Sequence, residues 1–98
     1  MFNFDDFQNE IESVCRKYRV KSLGAFGSAL TDDFNENSDI DFLIELDSAK
    51  NGIVRYMNIK FELETLLKCS VDLIMPKAIK NNRIKNYILS DVRNIYAA

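Results

Sequence analysis

Gly24-Ala25-Phe26-Gly27-Ser28, a mostly polar insert of ten residues, and then Asp39-Ile40-Asp41-Phe42-Leu43-Ile44-Glu45-Leu46 form the stretch on which the rest of the chain depends. It has two chemical ends. Gly27-Ser28 follows a short apolar run, and glycine lets a backbone turn tightly and approach a ligand closely. Asp39 and Asp41 stand two apart in a run rich in apolar residues. On a strand, side chains at i and i+2 share a face. Two carboxylates held side by side repel unless a cation lies between them. The usual cation for an oxygen-only pair is Mg²⁺, bound together with substrate phosphates. The stretch therefore joins a candidate phosphate cradle, Gly27 and Ser28, to a candidate metal clamp, Asp39 and Asp41.

The flanking segments suggest a layered architecture. Upstream, Phe4, Phe7, Ile11, Val14 and Tyr18 recur at spacings of three and four, which predicts a helix over residues 4–19 with a core-facing stripe. Asn3 is its candidate cap. Val20 to Phe26 reads as a strand, and Ser28-Ala29-Leu30 as a single helical turn whose backbone N–H groups face whatever Gly27 and Ser28 hold. Thr31 to Asn37 is loop-like, and Asp39 to Leu46 is the second strand. Ile53 to Lys68 reads as a second helix, with Ile53, Tyr56, Met57, Leu63, Leu66 and Leu67 on or near one face. Ser70 to Met75 is a third strand ended by Pro76, the only proline. Residues 78–91 form a last helix with Ile84, Ile88 and Val92 spaced by four, and Ile95 and Tyr96 return to the core. This order predicts an α/β (α+β) fold: a small mixed sheet with helices mainly on one face, the aspartates on the other.

Composition bounds the classes of function. With 98 residues the chain is one domain, 1–98, of a size that sustains its own core. The apolar fraction of 47% and charged fraction of 29% are those of a soluble globular protein, and no apolar run approaches a membrane span. The acidic N-terminus does not read as a secretory signal, so the expected location is the cytoplasm. Cys15 and Cys69 are far apart without metal-ligand spacing and read as reduced thiols. The chain has no His, which excludes His-based triads and His-ligated zinc. A net charge of −2 argues against general nucleic-acid binding. From Pro76 onward, however, Lys77, Lys80, Arg83, Lys85 and Arg93 face Asp91 alone. That segment reads as a solvated helix face or as a surface for phosphates or an acidic partner.

Asp72 is the only acid in the third strand. If that strand lies beside the second, Asp72 joins Asp39 and Asp41 on one face. Three carboxylates suit two divalent ions arranged for in-line displacement at phosphorus. One ion would hold a triphosphate and the other would activate an acceptor hydroxyl. Such transfer depends on positioning and charge neutralisation, so the absence of His is no obstacle. Taken singly, each piece has a plain reading: a common turn, a solvated Asp pair, an acid paired with a Lys. The order and closeness of all three favour the catalytic one.

Gly27-Ser28, ten residues and Asp39-x-Asp41 resemble the Gly-Ser-x10-Asp-x-Asp signature of the nucleotidyltransferase superfamily that includes DNA polymerase β. "GAFGSALTDDFNENSDIDFLIEL" and "VDLIMP" look like its minimal nucleotidyltransferase (MNT) branch. The resemblance implies the nucleotidyltransferase fold, Gly27 and Ser28 on the nucleotide phosphates, Asp39 and Asp41 on Mg²⁺, and Asp72 completing the metal site and helping activate the acceptor. It implies ATP as substrate and a HEPN-domain partner, a toxin that the MNT protein silences by moving AMP from ATP onto a tyrosine. Two other readings stay open: a non-catalytic antitoxin that acts by binding, and a transferase for a small molecule such as an aminoglycoside. One departure bears on the choice. The family commonly continues Gly-Ser with Ala-Arg-Gly, whereas Ala29 is followed here by Leu30-Thr31-Asp32. The missing Arg removes a cation suited to phosphate, for which Lys77 or Lys80 is a candidate substitute.

Overall fold

A computed structural model describes residues 1–98. The chain begins with a tight helical turn, Phe4–Phe7, that leads into helix α1, Gln8–Lys17. The expected stripe is present, with Phe4, Ile11 and Val14 buried, but the helix over 4–19 is broken in two. Phe7 adopts φ −121° and ψ 10°, outside helical values, and Asn3 makes no side-chain cap bond. Strand β1 covers Val20–Phe26, as its sequence suggests, and a second tight turn covers Gly27–Leu30. Strand β2 is Ile40–Leu46, helix α2 Gly52–Leu67 and strand β3 Val71–Ile74. Helix α3 is Asn82–Asp91, later and shorter than the periodicity suggests. Asn81 starts it, its side-chain oxygen accepting from the N–H groups of Arg83 and Ile84.

The last element corrects the sequence reading. Residues 93–97 do not merely tuck back onto the core; Arg93–Ala97 form a fourth strand, β4. The sheet runs β3-β2-β1-β4, with β4 and β2 antiparallel to β1 and β3 parallel to β2. Ile95 is the one buried residue of β4, so local pattern carries little strand signal. Its pairing answers to the open edge of β1, a tertiary cause.

Leu23 and Ala25 of β1, Ile40, Phe42 and Ile44 of β2, and Val71 and Leu73 of β3 all face one side of the sheet and are buried. They meet Ile11, Val14 and Cys15 of α1 and Ile59, Leu63 and Leu67 of α2 in a cluster of 17 buried residues. Each fully buried Leu, Ile or Phe contributes roughly 1.5–3 kcal/mol against solvent exposure. The opposite face carries Phe26, Asp41 and Asp72 and lies free of α1 and α2. No residue of α3 is buried. The helix is seated at its end, where Val92 packs so closely on Gly24 that a methyl there would stand 2.5 Å from it.

Helix α2 departs from expectation in its inward row, which is Arg55, Ile59, Leu63 and Leu67. Ile53 and Met57, expected on the core side, are 82% and 56% exposed. Arg55 turns the helix. Its guanidinium donates to the carbonyls of Tyr18, Arg19 and Lys50 and to Asp47 Oδ1 at 2.6 Å. It thereby closes the end of the sheet where β1 begins and β2 finishes. The opposite edge of α2 meets β3. Tyr56 donates to the Leu73 carbonyl at 2.8 Å, Lys60 to the Val71 carbonyl, and Glu64 accepts from the Val71 N–H. Side chains four apart on one helix thus supply partners for the outward backbone groups of β3. No helix is long and apolar enough to cross a membrane.

Candidate active site

The residues singled out in the sequence meet at one end of the sheet. Phe26, the last residue of β1, pairs with Asp41 of β2, and Asp41 pairs in register with Asp72 of β3. Residues paired across neighbouring strands point to the same face, so Asp41 and Asp72 stand side by side, with Asp39 two residues before Asp41. The expected juxtaposition of β2 and β3 is therefore present. Gly27 follows directly on β1. Its φ of 76° lies in the left-handed region, which glycine enters without steric cost. A methyl at its Cα would stand 2.8 Å from Asp41 Oδ2, so the turn and the carboxylate are in immediate contact.

The turn is held firmly. Ala29 is fully buried, its carbonyl accepts from the Phe2 N–H at 2.8 Å, and Thr31 Oγ1 donates to the Ser28 carbonyl at 3.0 Å. The ring of Phe4 lies tilted to that of Phe2 at 4.8 Å and edge-on to that of Phe42 at 5.9 Å, and Phe2 meets Phe34 edge-on at 5.7 Å. The N-terminal aromatics thus support the site without entering it. Leu30, standing where a family Arg is expected, packs against the core.

Burial pushes the Asp41 carboxyl above its ordinary value, and the charges of Asp72 and Asp39 push it the same way. Burial is the larger cause, and the like charges add to it. No three acidic side chains already surround a single point. The donor set is oxygen-only and incomplete, which suits a hard divalent cation that keeps waters and takes further ligands from substrate phosphates. Asp39 and Asp72 are exposed and Asp41 is half-buried, so all three can be reached from solvent.

A cavity of about 320 Å³ opens beside the turn. Phe26, Gly27 and Thr31 form one wall, and Tyr87, Ile88 and Asp91 of α3 form the other. Sequence reading named Ile88 as an apolar position and Asp91 as the lone acid of its segment, but assigned none of these three α3 residues to a site. Their helix reads as polar and basic, and only the return of the chain over the sheet brings its last turn to Gly27. Lys77 and Lys80, the candidate substitutes for the missing Arg, are exposed and do not line the cavity. Arg55 was also missed, although it shares the four-residue spacing of Ile59, Leu63 and Leu67.

Comparison with known proteins agrees with this geometry. The profile of the family described as Nucleotidyltransferase domain matches residues 9–95. A protein of Methanocaldococcus jannaschii, provisionally named a protein adenylyltransferase, is 38% identical over 86% of this chain and 93% of its own. Among solved structures, one described as a minimal nucleotidyltransferase superposes with a TM-score of 0.78 at 21% identity, covering 92% of this chain and 90% of that one. A toxin–antitoxin complex with AMP-PNP matches at 0.72 and 19% identity, covering 93% and 73%. A complex of a tri-AMPylated Shewanella oneidensis HEPN toxin with its MNT antitoxin matches at 0.68 and 16% identity, covering 98% and 74%. At such identities the structures establish a shared fold.

Proposed function

This chain belongs to the nucleotidyltransferase domain family, and from that premise we propose that residues 1–98 act as one minimal unit that moves AMP from ATP to a hydroxyl of a HEPN-domain partner, as a cytoplasmic antitoxin. The observation that carries the reading is the contact of three elements: Asp41 and Asp72 in register on parallel strands, with the Gly27 turn against the Asp41 carboxylate. The names of the adenylyltransferase relative and of the AMPylated toxin complex support the choice of AMP and of a protein acceptor.

Each residue has a role in this reading. Gly27 and Ser28 cradle the phosphates through the backbone of the turn. Asp39, Asp41 and Asp72 would hold Mg²⁺, as two ions. When bound, the metal neutralises phosphate charge and lowers the pKa of the acceptor hydroxyl. The acceptor oxygen attacks the α-phosphorus, the bond from that phosphorus to the bridging oxygen of the β-phosphate breaks, and pyrophosphate leaves. Asp72 takes the acceptor's proton. A tyrosine is the proposed acceptor, as the family resemblance implies, and the AMPylated toxin of a structural neighbour supports a protein acceptor.

The deciding experiment mixes the protein with Mg²⁺, ATP and a candidate HEPN-domain neighbour, then weighs that neighbour by intact mass spectrometry. An added AMP, lost in Asp41→Asn, supports the reading. A neighbour that is inhibited but unmodified favours a binding-only antitoxin, the reading to which Leu30 in place of an Arg lends support.

A further inference from the structure

We infer that the cavity between the Gly27 turn and the last turn of α3 seats the base of the donor nucleotide, with Tyr87 stacking on it and Asp91 accepting from its exocyclic amino group. This rests on the reading that the chain binds a nucleoside triphosphate, and it assigns the part of that ligand which the turn and the aspartates leave unaddressed. At about 320 Å³ the cavity falls at the lower end of the range for small-molecule sites.

The lining selects the occupant. Tyr87 is 75% exposed although it borders a cavity, so its ring presents a broad face that core packing does not use. Ile88 adds an apolar contact beside it. Asp91 is the only charged group in the lining, and it forms no ion pair. A carboxylate repels phosphate, so the triphosphate belongs on the side of Gly27 that faces the metal-binding acids. What fits beside Tyr87 is flat, uncharged and aromatic, with an N–H donor for Asp91: a nucleobase bearing an amino group. Adenine meets this description. Hypoxanthine sets a carbonyl where adenine has its amino group, and that oxygen would face the carboxylate unfavourably. The wall is also placed to follow the ligand. α3 buries no residue and is tied down at its end by Val92 on Gly24, two residues before Phe26.

The test is calorimetric titration, in Mg²⁺, of ATP, ITP and inorganic tripolyphosphate into the wild-type chain and into Tyr87→Ala, Tyr87→Phe and Asp91→Asn. Base–aromatic stacking predicts that Tyr87→Ala weakens ATP about tenfold or more, and that Tyr87→Phe restores it. Tripolyphosphate affinity should not change in any variant. Wild type should prefer ATP to ITP, and Asp91→Asn should narrow that preference, since an amide can donate to the carbonyl. Unchanged ATP affinity in Tyr87→Ala overturns the base seat while leaving the triphosphate site intact. So does a parallel loss of tripolyphosphate, which would mark Tyr87 as structural. A wild-type chain that binds neither ATP nor tripolyphosphate removes the nucleotide reading itself, and the base seat with it.

Discussion

The Cα of Gly27 lies against the carboxylate of Asp41, so close that no side chain fits between the turn and the acid. Gly27→Ala therefore acts twice. It places an alanine at φ 76°, a strain of about 1–2 kcal/mol, and it forces the Asp41 carboxylate to rotate away. The expected outcome is a modest loss of stability in urea unfolding, with ATP affinity in Mg²⁺ falling tenfold or more. A variant that keeps full affinity would show that the contact has no part in binding.

Asp41→Asn should make the metal-free protein more stable at neutral pH while abolishing transfer. Burial, and then the charges of Asp72 and Asp39, hold the Asp41 carboxyl of the folded protein above its ordinary value. A raised carboxyl pKa favours folding below the unfolded value, and that contribution is lost as pH rises through the folded value. At pH 7 the ionised group thus opposes folding, and removing its charge relieves this. Thermal melts without divalent ions should show a rise of a few degrees that disappears near pH 3. A lower melting temperature at pH 7 would contradict the assignment.

Arg55 should matter to the fold and not to the site. Truncation by Arg55→Ala removes a donor from four backbone carbonyls and from Asp47, a cost on the order of 3 kcal/mol. The guanidinium closes the end of β1 near Val20, while Asp41 pairs with Phe26 six residues on, about 20 Å away along an extended strand. Urea unfolding should shift strongly, and nucleotide affinity of the remaining folded protein should not.

Cys15 should be chemically silent. It is fully buried, and burial, with the nearby charge of Glu12, pushes its thiol up to about 12 against a smaller opposing effect of Arg16. The thiolate is the reactive form. An aromatic disulfide reagent at pH 8 should label Cys15 only as fast as the chain unfolds, so that urea accelerates the reaction in step with unfolding. In a Cys69→Ser chain, which removes the half-buried second thiol, rapid labelling of the native protein would show an opening at α1 that the packing does not suggest.

What could be read in advance followed the physics of each segment. Strand β1 was legible because an apolar run ends at a glycine, and Asp72 stood out as the one acid of its strand, so that its place beside Asp41 followed once β3 lay next to β2. β4 was not, because Arg93-Asn94-Ile95-Tyr96-Ala97 holds a single buried residue and becomes a strand only when β1 offers its edge. The inward face of α2 was misread because Ile53 and Met57 make an apolar row of their own, while the true inward row begins with a cation whose partners lie 36 and 37 residues upstream, as well as in the preceding loop. The α3 wall of the cavity had no local signature, since proximity to Gly27 arises only from the path of the chain.

Tyr56, Lys60 and Glu64 have a consequence for how this small sheet lives among other chains. An unguarded outer strand is a template on which a stray extended segment adds itself, and sheets commonly aggregate that way. On β3 the carbonyls of Val71 and Leu73 and the N–H of Val71 are already engaged by helix side chains, so an incoming strand would have to displace three bonds before forming its own. A partner on that flank therefore meets side chains of α2 before it reaches the backbone of the sheet.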